Sequence, residues 1–294
     1  MSEHAGIGLV LSGGAARGFA HIGVLKVIER LGLSVACIAG TSMGAIIGAL
    51  YASGYRAAEI DELASSLGWR DLIDFSLQTG VLKGDRLHKT LSKHLPATFE
   101  DLSMPLAVTT TNVETGEEVV LMSGPLPEAV RASSSFPGAF EPVEMNGLTL
   151  ADGGITNNLP VSAMSLLQCP YVIASDVTPP RRSTYDMQDG GAWWERMVAT
   201  VRLERRNPMA QMLLRTTDVM QSILTDIQYS LHPADVRIQL DMPQYRIESF
   251  REYEAIRDTG ESTAKAAFLG VAHDRPDKLP AGLTPSVVQE RLGG

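Results

Sequence analysis

An α/β fold, with a mainly parallel central sheet covered by helices, is predicted by three features of the sequence. Two strand–turn–helix patterns follow one another near the N-terminus, both strands are short apolar runs ending in glycine-bearing turns, and both helices close on a glycine. Parallel strands need crossovers of this kind, and a sheet covered on both faces has strands that read as continuous apolar runs. The chain has 294 residues, 44% hydrophobic and 20% charged, enough to form a sizeable core and unlike a disordered chain.

Ile7 to Leu11 is the first strand, entering the turn Ser12-Gly13-Gly14. Phe19, Ile22, Leu25, Val27 and Ile28 then recur at helical spacing against Lys26, Glu29 and Arg30, and Gly32 closes the helix. Ser34 to Ala39 is the second strand and Met43 to Ser53 the second helix, stopping at Gly54. Asp61 to Phe75 and Gly84 to Leu95 read as helices. Leu106 to Thr111 and Glu117 to Met122 read as a hairpin around Val113-Glu114-Thr115-Gly116. A short helix at Pro127 to Ala132 precedes a strand from Leu148 to Ala151, which feeds Asp152-Gly153-Gly154. Val161 to Leu167 reads as helix and Tyr171 to Val177 as strand.

Beyond Val177 the character changes. Thr178 to Gly191 is polar and rich in turn residues, a loop pattern. Asn207-Pro208 caps a helix that places Met209, Met212, Leu213, Val219, Met220, Ile223, Leu224 and Ile227 on one face, which reads as a core-facing stripe. Val236, Ile238 and Leu240 alternate with polar residues as a half-buried strand does. Glu252 to Phe268 reads as helix, broken at Gly260. The expected division is a catalytic core over 7–178, a mostly helical extension with one strand over 179–275 that packs on the core, and a Pro/Gly-rich tail over 276–294 that adds little core.

Charge narrows the function classes. Twenty-five Lys and Arg against 34 Asp and Glu give a net charge of −9, which disfavours nonspecific binding to nucleic acid or anionic lipid. Cys37 and Cys169 both lie in apolar runs and read as buried free thiols. MSEHAGIGLVLSGG lacks the basic start of a secretory signal. From Leu31 to Tyr55 no residue is charged, and Gly40, Gly44 and Gly48 have the spacing used in membrane helix packing. A membrane span and a buried strand–turn–helix both fit that window; the acidic, core-rich composition of the whole chain favours the second.

The chemistry is concentrated in three stretches. Gly40-Thr41-Ser42-Met43-Gly44 fits G-x-S-x-G, the sharp strand-to-helix turn that exposes a nucleophilic serine beside a helix N-terminus. A turn that merely joins strand to helix fits the pentapeptide alone as well. Ser12-Gly13-Gly14-Ala15-Ala16-Arg17-Gly18 also lies between strand and helix, so its backbone N–H groups can converge on an anion. It lacks the Lys-Ser/Thr pair of a phosphate loop, and Ala15 breaks G-x-G-x-x-G; the other reading is an oxyanion hole for acyl transfer. A serine nucleophile needs a base. None of His4, His21, His88, His94, His232 and His273 lies in a turn suited to that task, whereas Asp152 ends a strand and opens DGGITNNLPV. An aspartate that only organises its own turn is the simpler reading of that residue.

Together the stretches GLVLSGGAARGFAHIGVL, IAGTSMGAIIGALYASGY, ASSSFPGAFEPV and LADGGITNNLPV, in this order over residues 7 to 178, resemble the bacterial patatin-like phospholipases, which are lipid acyl hydrolases. The resemblance implies a three-layer patatin-like fold and a Ser–Asp dyad without histidine, Ser42 as nucleophile and Asp152 as base. It implies an oxyanion hole from the backbone around Gly13, Gly14 and Ala15 with Arg17 nearby, supported by Gly18, Gly40, Gly44, Gly153 and Gly154. Ala15 stands where the family usually has glycine: its N–H survives, but a left-handed backbone there costs about 1–2 kcal/mol.

The expected activity is therefore hydrolysis of lipid acyl esters, of phospholipase A, lysophospholipase or esterase type, with no cofactor and no metal. The expected partner is a lipid acyl ester, with transient peripheral membrane contact and no nucleic acid, in the cytoplasm or at the inner membrane face. An acyl chain needs an apolar channel, for which the helix after Pro208 and the Trp193-Trp194 pair are the sequence candidates. Arg181, Arg182, Arg202, Arg205 and Arg206 read as a basic patch or a solvated face. Three rivals stand beside this reading: an α/β-hydrolase triad of Ser42, Asp176 and His232 or His273, a non-catalytic acyl-chain or lipid binder with an inert elbow, and an integral membrane protein.

Overall fold

The computed structural model describes residues 6–66, 83–180, 208–245 and 249–293. In chain order the elements are β1 (Ile7–Leu11), α1 (Ala20–Arg30), β2 (Val35–Thr41), α2 (Met43–Ala52), α3 (Ala57–Ser66), α4 (Asp85–His94), β3 (Leu106–Asn112) and β4 (Glu118–Leu121). They continue with α5 (Leu126–Ser133), β5 (Val143–Met145), β6 (Leu148–Asp152), α6 (Met164–Leu167), β7 (Val172–Asp176), α7 (Pro208–Leu231), β8 (Val236–Gln239), α8 (Tyr253–Asp274) and α9 (Pro285–Leu292). Short 3-10 turns, among them Ala15–Phe19 and Gly153–Ile155, join several of them.

The eight strands form one mixed sheet in the order β5-β6-β3-β2-β1-β7-β8, with β4 paired to β3 off that path. Strands β3, β2, β1, β7 and β8 run parallel, and the antiparallel pairs lie at the β3 end. The predicted α/β class with a mainly parallel sheet is the fold observed. Successive strand residues face opposite sides. Leu9, Leu11, Ile38, Val108 and Ile173 enter one core with α1, α2 and α8, while Val10, Cys37, Ala39, Ala107 and Ala174 enter a second with Leu159 and Met164. Two cores on one sheet make three layers, and burial on both faces is why the strands read as unbroken apolar runs.

The uncharged window from Leu31 to Tyr55 divides into β2, the turn at Ser42 and α2, all largely buried. Among the described residues no helix is long and apolar enough to cross a membrane. β8 adds to the sheet beside β7, and α8 lies against α1.

Several expectations need correction. α8 is not broken at Gly260; the glycine is the crossing point with α1, since a Cβ there would lie 2.0 Å from the Ala20 carbonyl oxygen. The tail forms α9, and Val288 and Leu292 are buried in the main core. On α7 the apolar stripe faces outward: Val219, Met220, Ile223 and Ile227 are exposed, whereas Ser222 and Thr225 are buried. Cys37 and Cys169 are not free thiols but are joined, with Cα atoms 6.8 Å apart. They stand 132 residues apart in sequence, so no local pattern marks the pair. β5 was unforeseen, although Asn146 and Gly147, both at positive φ, form the two-residue turn that pairs it with β6. The helix expected over Asp61 to Phe75 begins earlier, at Ala57, and is described as far as Ser66. Trp193, Trp194, Arg181, Arg182, Arg202, Arg205 and Arg206 lie outside the described residues.

Candidate active site

Register alone brings the three stretches together. Leu11 of β1 pairs with Gly40 of β2, so the loop after β1 and the turn after β2 leave the sheet side by side. Thr41 pairs with Thr109 of β3, and the next residue, Thr110, pairs with Asp152 of β6. Because β6 runs antiparallel, its last residue comes level with the position just beyond Thr41, which is Ser42. β1 also marks the switch point where later strands begin to add on the opposite side, the usual location of a site in an open α/β sheet.

Ser42 occupies the sharp turn with φ 53° and ψ −121°. A non-glycine residue held there stores on the order of 1–3 kcal/mol, and surrounding contacts must hold it. The Ser42 N–H donates to Ser133 Oγ at 2.8 Å, and the Ser133 hydroxyl donates to the Thr109 carbonyl at 2.7 Å. The Ser42 carbonyl accepts from Ile46 N at 3.0 Å, starting α2. Gly40 and Gly44 permit the approach: a Cβ on Gly44 would lie 2.2 Å from the Leu11 carbonyl oxygen, and one on Gly40 would lie 2.7 Å from the Gly44 carbonyl oxygen.

Asp152 is buried at the end of β6. Its Oδ1 accepts the Gly154 N–H at 2.7 Å, closing the turn that Gly153 makes possible, because a Cβ at Gly153 would meet the Thr109 carbonyl oxygen at 2.3 Å. Burial pushes the carboxyl pKa from 3.8 up to about 6; hydrogen bonds from Gly154 N–H and the Ser42 hydroxyl act in the opposite direction. Ser42 and Asp152 are thus brought together.

The glycine-rich loop becomes a short 3-10 turn from Ala15 to Phe19. Of the four residues expected at an oxyanion hole, Gly13 has its N–H occupied, donating to the Asn158 carbonyl at 3.0 Å, and Arg17 donates its N–H to the Gly14 carbonyl at 3.0 Å. Among the described residues the N–H groups of Gly14 and Ala15 have no partner. Ala15 adopts φ 47°, the left-handed backbone whose cost the sequence made foreseeable. The Arg17 side chain is 3% exposed; one terminal nitrogen lies 3.4 Å from Asp218 of α7, and among the described residues its Nε has no partner. Gly18 makes room for Met43.

Some contributors escaped the sequence reading. Asn158 donates to the Gly13 carbonyl at 3.2 Å and to Thr178 Oγ1 at 2.9 Å, and Asn157 offers its carbonyl to Thr41 Oγ1 at 3.0 Å. The two asparagines therefore tie the turn after Asp152 to both other loops. Consecutive asparagines after Asp-Gly-Gly were the signal. Ser133 lies inside ASSSFPG, and nothing local in that stretch announces a contact with residue 42.

The rival triad does not assemble. The Asp176 carboxylate is taken by Arg237 at 2.6 Å and by the Thr178 N–H at 2.8 Å. His273 is 88% exposed and bonds Asp274, and His232 is exposed after the end of α7. No group of residues suited to hold a metal occurs among the described residues.

A mixed sheet thus brings a serine elbow, a glycine-rich loop and a buried aspartate to adjacent strand ends of an α/β protein. Residues 9–165 match the model of the patatin-like phospholipase family, and the chain belongs to that family. An NTE family protein of Mycobacterium tuberculosis is 34% identical over 202 residues, covering 65% of this chain and 55% of the relative. The neuropathy target esterase sws of Drosophila melanogaster is 30% identical over 290 residues, 90% of this chain and 20% of the relative. The lysophospholipase NTE1 of Saccharomyces cerevisiae is 30% identical over 295 residues, 93% of this chain and 17% of the relative. The chain thus spans about half the length of the mycobacterial relative and a fifth or less of the other two. VipD from Legionella pneumophila shares the fold, with a TM-score of 0.54 over 95% of this chain and 71% of VipD at 14% identity.

Proposed function

We propose that this chain is a serine hydrolase that cleaves acyl esters of lipids, of phospholipase A, lysophospholipase or esterase type, through an acyl-enzyme on Ser42 with Asp152 as general base. The observation that carries the reading is the meeting at adjacent strand ends of Ser42, the buried Asp152 and the N–H groups of Gly14 and Ala15, which have no partner among the described residues. Asp152 takes the Ser42 proton as Oγ attacks the ester carbonyl, and the developing oxyanion accepts from Gly14 and Ala15. As the tetrahedral species collapses, the leaving alkoxide takes the proton from Asp152 and departs as the alcohol. Asp152 then deprotonates water as it attacks the acyl-enzyme, and on collapse the leaving Ser42 oxygen takes that proton back from Asp152 while the fatty acid is released. A carboxylate with a pKa near 6 is a better base than an exposed one and is still ionised at neutral pH.

A place for the acyl chain supports the lipid class. An apolar cleft partly open to solvent is lined by Phe19, by Met43, Ile46, Ile47 and Leu50 of α2, and by Leu91 and His94 of α4. From Met43 to Leu50 the helix rises about 10 Å, room for a medium-length acyl segment. This cleft, rather than α7, is the acyl site of the reading. The outward stripe of α7, Val219, Met220, Ile223, Ile227 and Leu231, fits transient contact with a lipid surface.

The decisive experiment is labelling with a fluorophosphonate probe combined with hydrolysis of p-nitrophenyl butyrate. Wild type is expected to label at Ser42 and turn over; Ser42→Ala is expected to do neither. Lipid binding without labelling would leave an inert elbow instead. Within the same reading, Leu50→Trp is expected to shorten the cleft and lower kcat/KM for the dodecanoate ester about tenfold, while the butyrate ester is nearly unaffected. Equal losses on both esters would place the acyl chain elsewhere.

A further inference from the structure

His21 is the second residue of α1, completely buried, and it belongs to no part of the reaction above. Its Nε2 lies 2.8 Å from the Ser12 carbonyl oxygen and its Nδ1 lies 2.8 Å from Ser175 Oγ. A carbonyl oxygen only accepts, so Nε2 carries the proton and Nδ1 accepts from the Ser175 hydroxyl. Burial holds the imidazole pKa down at about 4, so the ring is neutral at working pH.

The Ser12 carbonyl belongs to the same peptide plane as the Gly13 N–H. That plane is therefore gripped on both edges, by His21 at the carbonyl and by the Asn158 carbonyl at the N–H, 3.0 Å away. The following plane carries the Gly13 carbonyl, held by Asn158 Nδ2 at 3.2 Å, and the Gly14 N–H on its opposite edge. In a trans peptide the N–H points away from the carbonyl. Holding the two carbonyls thus sets the direction in which the Gly14 N–H points. Ser12 is also fixed by its N–H to the Ser175 carbonyl at 3.1 Å and by its Oγ, which accepts from Val177 N at 2.9 Å.

We propose that neutral His21 is a positioning residue for the oxyanion loop, locking the Ser12–Gly13 peptide so that the Gly14 and Ala15 N–H groups stay aimed at the reacting oxygen. The inference rests on the hydrolase reading of Ser42. His21 touches no substrate; it acts through one backbone carbonyl, with Ser175 setting its ring orientation.

Three variants test it on p-nitrophenyl butyrate, with cooperative thermal unfolding as the check on folding. His21→Gln keeps a donor able to reach Ser12 and is expected to stay within about threefold of wild-type kcat. His21→Phe removes both bonds and is expected to lose on the order of a hundredfold in kcat with KM within twofold, the pattern of an interaction realised only in the transition state. Ser175→Ala removes only the orienting hydroxyl and is expected to lower kcat about fivefold. If His21→Phe does not fold, the Gln and Ser175→Ala variants decide. Wild-type kcat in His21→Phe or Ser175→Ala, a loss in Gln as large as in Phe, or a loss confined to KM would overturn the positioning role while leaving the hydrolase intact. A wild type that neither turns over ester nor labels at Ser42 would instead overturn the hydrolase reading on which the proposal rests.

Discussion

Asp152→Asn is expected to lower kcat on p-nitrophenyl butyrate by about a thousandfold and, at pH 7.5, to make the protein more stable than wild type. Both effects follow from one buried carboxyl. The proposed base acts only when ionised, so wild-type kcat/KM is expected to rise with pH through about 6 and level off above it. The stability effect has the opposite sense. The folded-state pKa of about 6 lies above the ordinary 3.8, so between these values the folded state holds more protons than the unfolded state. Stability from this group therefore falls as pH rises across that window, by roughly 3 kcal/mol in all. Asparagine cannot ionise, yet its Oδ1 can still accept the Gly154 N–H. The variant should gain most of that energy above pH 6, a Tm rise of several degrees, and little or none at pH 4. His21 has the reverse dependence: with its folded pKa lowered from 6.5 to about 4, stability is lost as pH falls through that range. The variant should keep this second slope. Undiminished hydrolysis by Asp152→Asn would remove Asp152 as the base, and an unchanged Tm at pH 7.5 would show that its burial is not costly.

Gly260→Ala is expected to destabilise the fold by about 3 kcal/mol, more than most single-methyl insertions. α1 and α8 cross with their backbones in contact. A Cβ on Gly260 would fall 2.0 Å from the Ala20 carbonyl oxygen, and one on Gly23 would fall 2.1 Å from the Arg257 carbonyl oxygen. Neither neighbour is a side chain that can turn aside, so the helices must separate and uncover Phe268 and Val24. The effect is local to a packed seam that also carries Lys26 and Arg257 on Asp61. Urea unfolding measures it: a lowered midpoint with an unchanged slope is expected, and an unchanged midpoint would mean that the helices are already apart.

The seam shows where reading along the chain stops. A glycine in a helical pattern reads as a break when only its neighbours in sequence are known, because its loss of backbone entropy is a local property. That it lies on another helix is a property of two segments more than 200 residues apart. The stripe on α7 misleads for a related reason. Helical spacing shows that Val219, Met220, Ile223 and Ile227 share a face, but not what lies against the opposite one. There Asp218 reaches Arg17, and Gln221 comes close to Gly154.

The site was far more legible than its surroundings. Elbow, glycine-rich loop and Asp-Gly-Gly turn are each contiguous, since each is one tight turn whose backbone geometry demands particular residues in a row. Each turn could therefore be located in the sequence, while the parts assigned to Ser42, Asp152, Gly13, Gly14, Ala15 and Arg17 came from the resemblance to the patatin-like family. Most of what holds these residues could not be read there: Ser133 on the Ser42 N–H and His21 on Ser12 reach across strands, and ordinary serines and histidines carry no local mark of such contacts, whereas Asn158 on Gly13 was marked only by the paired asparagines after Asp-Gly-Gly.

By itself the sequence determined the α/β class, the order of the principal strands and helices and the three glycine-bearing turns, because apolar period and turn chemistry are short-range properties of the chain. Only the tertiary structure decided that Gly13 spends its N–H on Asn158 while those of Gly14 and Ala15 have no partner among the described residues. It also opened an apolar cleft along α2 and turned Gly260 from a break into a contact. The physical reason is the same in each case: hydrogen-bond partners, cavities and helix crossings arise from sheet register and packing between distant segments.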